Sequence, residues 1–209
     1  MFIGHYALAF GAKKVDKLPS LAIMFVAVQF LDLLWPIFVL LGLETFEIDP
    51  GNTAITPLNF TSYPYSHSLL MSVVWGILLG GIYFAMTKNK KGSQLLGLLV
   101  VSHWILDLLT HRADLPLSPF GGPKVGLGLW NMPALEIIIE IGLFLGGVFL
   151  YLRAVEVKRK IAFWSLIAFF IIIHMMNIFG PPPPSINAVA WSANAMWIFV
   201  VWAWWIEKE

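Results

Sequence analysis

The chain has 209 residues, 59% of them hydrophobic and 12% charged, with a formal net charge of +1 and a mean hydropathy of +0.80. A soluble domain carries about 25% charged residues, so a water-soluble globule is excluded, and so small a net charge offers no basic field for nucleic acid. Cysteine is absent, which rules out disulfides and thiolate metal sites and leaves His, Asp, Glu and backbone oxygen as the available ligands.

A helix needs about 20 apolar residues to cross a bilayer. The first apolar run, residues 2–12, is too short and reads as a half-helix; lysines follow it rather than precede it, unlike a cleavable signal peptide. Six later stretches approach spanning length: 18–43, 68–86, 95–110, 133–152, 161–179 and 188–206. The third is short and carries polar residues, so it belongs inside the bundle, away from lipid. The glycine-rich segment 121–128 (GGPKVGLG) lacks the Lys-Ser/Thr pair of a phosphate-binding loop and reads as a turn or re-entrant loop. The four prolines 181–184 force an extended turn before the last span. Trp202, Trp204 and Trp205 form an interfacial anchor. The expected fold is all-α: a polytopic transmembrane helix bundle of about six spans plus an N-terminal half-helix. Residues 1–153 hold the polar groups and read as a metal-site bundle; residues 154–209 read as a two-span scaffold of the same membrane domain.

Loop charge suggests the orientation. Lys13, Lys14 and Lys17 precede the first span, Lys88, Lys90 and Lys91 follow the second, and Arg153, Lys158, Arg159 and Lys160 follow the fourth. The loop 44–67 has three acids and no Lys or Arg. By the positive-inside rule both termini are cytoplasmic and the acidic loop is outside.

His103, Asp107 and His111 recur every four residues within the third span, which puts them on one helix face. Asp32 lies within the first span, His67 opens the second, Glu136 and Glu140 begin the fourth, and His5 lies in the half-helix. Each has a bland reading: His5 as a surface residue, Asp32 as a helix linker, His67 as a cap. His174, in the fifth span, reads as a satisfied core histidine and stays outside the expected site. Together, however, the acids Asp32, Asp107, Glu136 and Glu140 would cost on the order of 10 kcal/mol if charged and unpaired at membrane depth, and no Lys or Arg lies within their spans. Imidazoles beside carboxylates favour a metal cation as the compensating charge. The topology gathers His67, His111, Glu136 and Glu140 in the outer half of the bundle. It lets His5 reach His103 but not His111, because a half-helix rising from Lys13 lifts it only about 12 Å. These are more ligands than one tetrahedral zinc uses.

The order His5, Asp32, His67-Ser68, His103-x-x-x-Asp107, His111 resembles the DUF457 group of membrane-bound metal-dependent hydrolases, also described as LexA-binding, inner-membrane-associated hydrolases. It is also similar, at a distance, to the zinc-dependent phospholipase C and P1 nuclease fold. The resemblance covers residues 1–151. It implies a bacterial inner-membrane protein with an all-helical site that holds up to three zinc ions and cleaves phosphoesters. The phospholipase pattern continues with His-x-x-x-Glu, where this chain has Glu136-x-x-x-Glu140, so a carboxylate replaces an imidazole at the third metal position.

The leading expectation is therefore a metal-dependent membrane hydrolase acting on a lipid-like or small phosphoester through a metal-activated hydroxide. His5, Asp32, His67, His103, Asp107, His111 and Glu140 would hold one to three Zn²⁺ or other divalent ions. Asp32 or Glu136 would orient the attack, and Arg112 or Lys124 could meet the phosphate. The rival readings are a non-enzymatic membrane scaffold with a structural metal and a proton or divalent-cation transporter; intramembrane Asp, Glu and His serve all three.

Overall fold

The computed structural model describes residues 1–208 and is overwhelmingly helical. Five helical stretches are long and apolar enough to cross a membrane: α5 (Leu69–Thr87), α6 (Lys90–Thr110), α7 (Pro133–Ala154), α8 (Lys160–Phe179), and the run Ile186–Glu207, made of α9 (Ile186–Asn194) and α10 (Trp197–Glu207). A sixth span is a bent pair, α2 (Leu21–Val28) and α3 (Phe30–Leu40), which meet at 57°. The expected half-helix is α1 (Ile3–Ala12).

The bend falls at Gln29, whose backbone leaves the helical region, and Pro36 within α3 removes a further helical N–H. Asp32 stands one turn beyond this break. Irregular backbone at membrane depth is tolerated where protein buries it, and Gln29 and Val28 are fully enclosed.

Close helix contacts are made by small residues. In the α5–α6 hairpin a Cβ added to Gly76 would come within 2.7 Å of the Gly97 carbonyl, and Ser93 Oγ donates to the Gly80 carbonyl at 2.7 Å. Without a side chain between them the two backbones touch, the usual means of helix association in lipid. Gly147 plays the same part for α1: a Cβ there would strike the Ala7 carbonyl, so α1 rests directly on α7. Phe10 of α1 meets Phe25, Phe144, Phe163 and Tyr151 edge-to-face. The half-helix is thus a central element, with Lys13 at one end of the bundle and His5 pointing toward the other.

The lysine-bearing end is stitched by polar ties. Lys13 Nζ pairs with Glu207 at 2.9 Å and donates to the Lys17 and Pro19 carbonyls, while Glu207 accepts from the Leu21 N–H and the Tyr151 hydroxyl. The opposite end carries the long loops. The acidic loop is ordered as an antiparallel ribbon, β1 (Thr45–Ile48) with β2 (Leu58–Ser62), leading to the single turn α4 (Pro64–His67). A shorter ribbon, β3 (Leu115–Pro116) with β4 (Lys124–Val125), includes part of the glycine-rich segment. Neither ribbon was expected, because two to five residues of strand are too short to show period-two alternation.

Candidate metal centre

Asp107 and His103 stand one turn apart on α6, with His103 Nε2 3.1 Å from Asp107 Oδ2. The other ring nitrogen, Nδ1, lies 2.6 Å from the carbonyl of Val28, the last residue of α2 before the break. A carbonyl only accepts, so Nδ1 carries the proton, and in the neutral ring Nε2 presents a lone pair. That lone pair faces two carboxylates, Asp107 Oδ2 and, at 3.8 Å, Asp32 Oδ1, and makes no hydrogen bond.

His67 is oriented in the same sense by a different route. Its Nδ1 lies 2.7 Å from Ser66 Oγ, which donates to Glu44 Oε2 at 2.6 Å. Since the serine's one proton goes to the carboxylate, its oxygen accepts from His67 Nδ1–H. The His67 Nε2 lone pair is then turned to Asp32 Oδ1 at 3.3 Å and Asp107 Oδ2 at 3.9 Å. Glu44 is buried and held by the Tyr65 and Ser66 N–H groups, each at 2.8 Å. With both rings neutral, two imidazoles offer acceptor atoms to the same two acceptor carboxylates. Such an array is repulsive until a cation sits within it, and hydrogen bonds to the outer nitrogens are how metal-binding histidines are held.

His5 completes the group. Its ring stacks on His103 with centroids 3.7 Å apart, and its Nε2 is 3.2 Å from Asp107 Oδ1. The Met1 nitrogen donates to the same Oδ1 at 2.8 Å and to Thr110 Oγ1 at 3.1 Å. Two overlapping sets, His5–Asp32–His103 and His67–His103–Asp107, each have potential ligand atoms within 4.8 Å of one another, close enough that they could hold a metal ion. No lysine or arginine among the described residues pairs with Asp32 or Asp107.

His111 ends α6 as its cap and stands slightly apart from both sets. Its Nδ1 lies 3.0 Å from Asp114 Oδ1 and 3.3 Å from the Tyr63 hydroxyl. Burial opposes ionisation of Asp114, yet hydrogen bonds from His111, Tyr63 and Arg112 hold its carboxyl below the usual carboxylate value. The glycine-rich loop supports this corner: Gly128 N–H donates to the His111 carbonyl at 2.7 Å, and a Cβ on Gly126 would strike the Arg112 carbonyl. Arg112 is tied to Asp114 and Asn59, and Lys124 reaches the Thr61 carbonyl at 3.3 Å. Neither basic residue lines the cavity into which the cluster opens.

That cavity has a volume of about 530 Å³. Asp32, His67, Asp107 and His111 stand at its polar part, and Trp35, Phe169, Ile173, Phe199 and Trp202 contribute apolar wall. Helices α8, α9 and α10 thus furnish one side of it. Glu136 and Glu140 lie elsewhere, with His174, in a third set of potential ligands. Glu140 Oε1 accepts from the Phe2 and Gly4 N–H groups and so caps the start of α1. His174 is buried, but its Nε2 has no hydrogen-bond partner, so the expected satisfied core histidine is not what the fold contains.

Three participants escaped the sequence reading, Glu44, Ser66 and Asp114, and His174 was set outside the site. Asp114, three residues after His111, and Ser66, beside His67, could have been sought as partners of the outer ring nitrogens. Glu44 had no local signal, being 22 residues from the serine it anchors.

Comparison with curated proteins and with solved structures returns no match. The YdjM inner membrane protein family matches over residues 48–206, about three quarters of the chain. The matched region takes in His67, His103, Asp107, His111, Glu136, Glu140 and His174, and runs through the last spans; His5 and Asp32 precede it. With its six possible spans and its buried histidine–carboxylate sets, this chain belongs to the YdjM inner membrane protein family.

Proposed function

We propose that this protein is a metal-dependent phosphoester hydrolase whose substrate is lipid-like. The observation that carries the reading is the paired orientation of His67 and His103, both held at Nδ1 from behind and both with Nε2 turned to Asp32 and Asp107. Imidazole and carboxylate in this mixture suit zinc, with His67, His103, Asp32 and Asp107 as the central ligands, His5 adjoining them, and His111 at the cavity edge. When bound, zinc would polarise a phosphoester oxygen and make water nucleophilic at neutral pH.

The chain's own groups would do the rest. Glu44, through Ser66, keeps the His67 lone pair inward, and the Val28 carbonyl does so for His103. Asp32 is the one carboxylate of the cluster that is partly accessible, its side chain a quarter exposed, and it is placed to accept a proton from an attacking water. Along α8, Phe169, Ile173 and Asn177 repeat every four residues down the cavity wall, a length of about 12 Å. Phe199 and Trp202 of α10 extend the wall, and Trp202 Nε1 bonds the Ala162 carbonyl in the first turn of α8. A hydrocarbon chain fits that wall while a phosphate meets the acidic and imidazole end. Under the positive-inside reading, with both termini cytoplasmic, the polar end faces the outer side of the membrane.

The test is zinc content and phosphodiesterase activity of the purified protein in lipid, wild type against His103→Ala with Asp107→Ala. Bound zinc and turnover in the wild type, both lost in the variant, are expected. Metal-free wild type, or equal activity in the variant, overturns the reading. Zinc retained without turnover on any phospholipid would favour a structural ion in a scaffold.

A further inference from the structure

Glu136 and Glu140 are one turn apart on α7 and share a face with His174 of α8 across from them. All three are at most 2% exposed, and one potential ligand atom from each lies within 4.8 Å of the others. Two of the polar atoms have nothing to bond: Glu136 Oε2 and His174 Nε2, which stand 3.9 Å apart. Glu140 spends Oε1 on the Phe2 and Gly4 N–H groups, and its carboxyl lies within hydrogen-bond reach of Glu136. No lysine or arginine among the described residues approaches the trio. The three line a separate cavity of about 520 Å³ that shares its Met1–Phe2 wall with the first. Burying orphaned polar atoms together beside a cavity leaves their lost hydration uncompensated unless something fills the gap.

We propose that Glu136, Glu140 and His174 form a second divalent transition-metal site, distinct from the His67–His103–Asp107 centre. Two carboxylates match the charge of a divalent ion. The imidazole selects a zinc- or iron-like ion over magnesium or calcium, which take oxygen ligands. The cavity leaves room for water to complete the coordination. An ion here would fix Glu140 and, through the Phe2 and Gly4 N–H groups, the first turn of α1 that carries His5. The second site would thus set the position of a residue of the first without touching it. The inference does not depend on the phosphoesterase reading.

The experiment counts metal. Protein in lipid nanodiscs is stripped with chelator, reloaded with Zn²⁺, freed of excess and assayed for zinc per chain. His174→Ala and Glu136→Gln are each expected to bind one equivalent less than wild type, and His103→Ala combined with His174→Ala to lose both contributions additively. Unchanged stoichiometry in folded His174→Ala and Glu136→Gln overturns the proposal, and identifies the two glutamates as a pair sharing a proton. Because a variant may misfold, anomalous scattering at the zinc edge on wild-type crystals gives an independent answer. A peak between the three side chains is expected, and none there, with a peak at His103, refutes the second site alone.

Discussion

The two ends of the bundle both bury charge and neutralise it in different ways. At the lysine-bearing end Lys13 meets Glu207 directly, and the remaining donors and acceptors of that pair are taken up by the Lys17 and Pro19 carbonyls, the Leu21 N–H and the Tyr151 hydroxyl. At the loop-bearing end Asp32 and Asp107 are met by the lone pairs of His67 and His103. Hydrogen bonds at the back of each ring turn those lone pairs inward. The same chain that pairs one carboxylate with its own lysine turns the Nε2 atoms of two imidazoles on two others, of which Asp107 also takes the Met1 ammonium. The comparison teaches that the second arrangement is not a packing necessity: a self-sufficient solution exists at the other end of α1, about 12 Å along the helix from His5 to Lys13, and it is not used here.

The most severe way to break this contrast is to give the site a cation of its own. His67→Lys places an ammonium beside Asp32 and Asp107, and bound zinc should fall by more than about 100-fold in affinity, since a ligand is lost and the charge is already balanced. Metal analysis and a retained helical spectrum would check it; unchanged metal content would mean the cluster is not the binding site. Next in size is the support behind His67. Glu44→Gln or Ser66→Ala removes the anchor of the Nδ1 proton and should weaken zinc by about 10–100-fold with the fold intact, measured by competition with a chelating dye.

A smaller effect is expected on stability. Zinc at 100 times its Kd should stabilise the protein by about 2.7 kcal/mol, seen as a higher thermal midpoint in detergent that chelator reverses. No shift would make the loop-bearing end as self-sufficient as the other. Smallest is the control at the lysine end. Lys13→Met should cost about 2 kcal/mol, between the values for exposed and fully buried pairs because Glu207 is partly accessible, and should leave zinc content unchanged. Replacing Glu207 by Leu in that background should recover part of the loss.

The spans were legible because the bilayer imposes a length and a composition that any reader can count, and α5, α6, α7 and α8 begin and end within a few residues of the expected stretches. The first span was legible as a length and not as a shape: nothing before Pro36 announces that Val28 ends one helix and Phe30 starts another. Yet that break supplies the carbonyl that orients His103. His5 was the hardest to place from the sequence, as a half-helix could lie on the membrane surface or inside the bundle; the contact of Gly147 with Ala7 puts it inside.

What the sequence determined by itself is the class of the problem: a helical membrane protein with carboxylates and imidazoles at apolar depth and no lysine or arginine in the same spans to balance them. That follows from composition and the period of the helix, which are local. The tertiary fold decided how those groups are divided, with His5, Asp32, His67, His103 and Asp107 in one cluster and Glu136, Glu140 and His174 in another. It also decided which nitrogen of each central ring points inward. Those outcomes depend on carbonyls, serines and carboxylates far away along the chain, such as Val28 for His103 and Glu44 for His67, and distance along a sequence carries no trace of which side chains a bent helix and a folded loop will bring face to face.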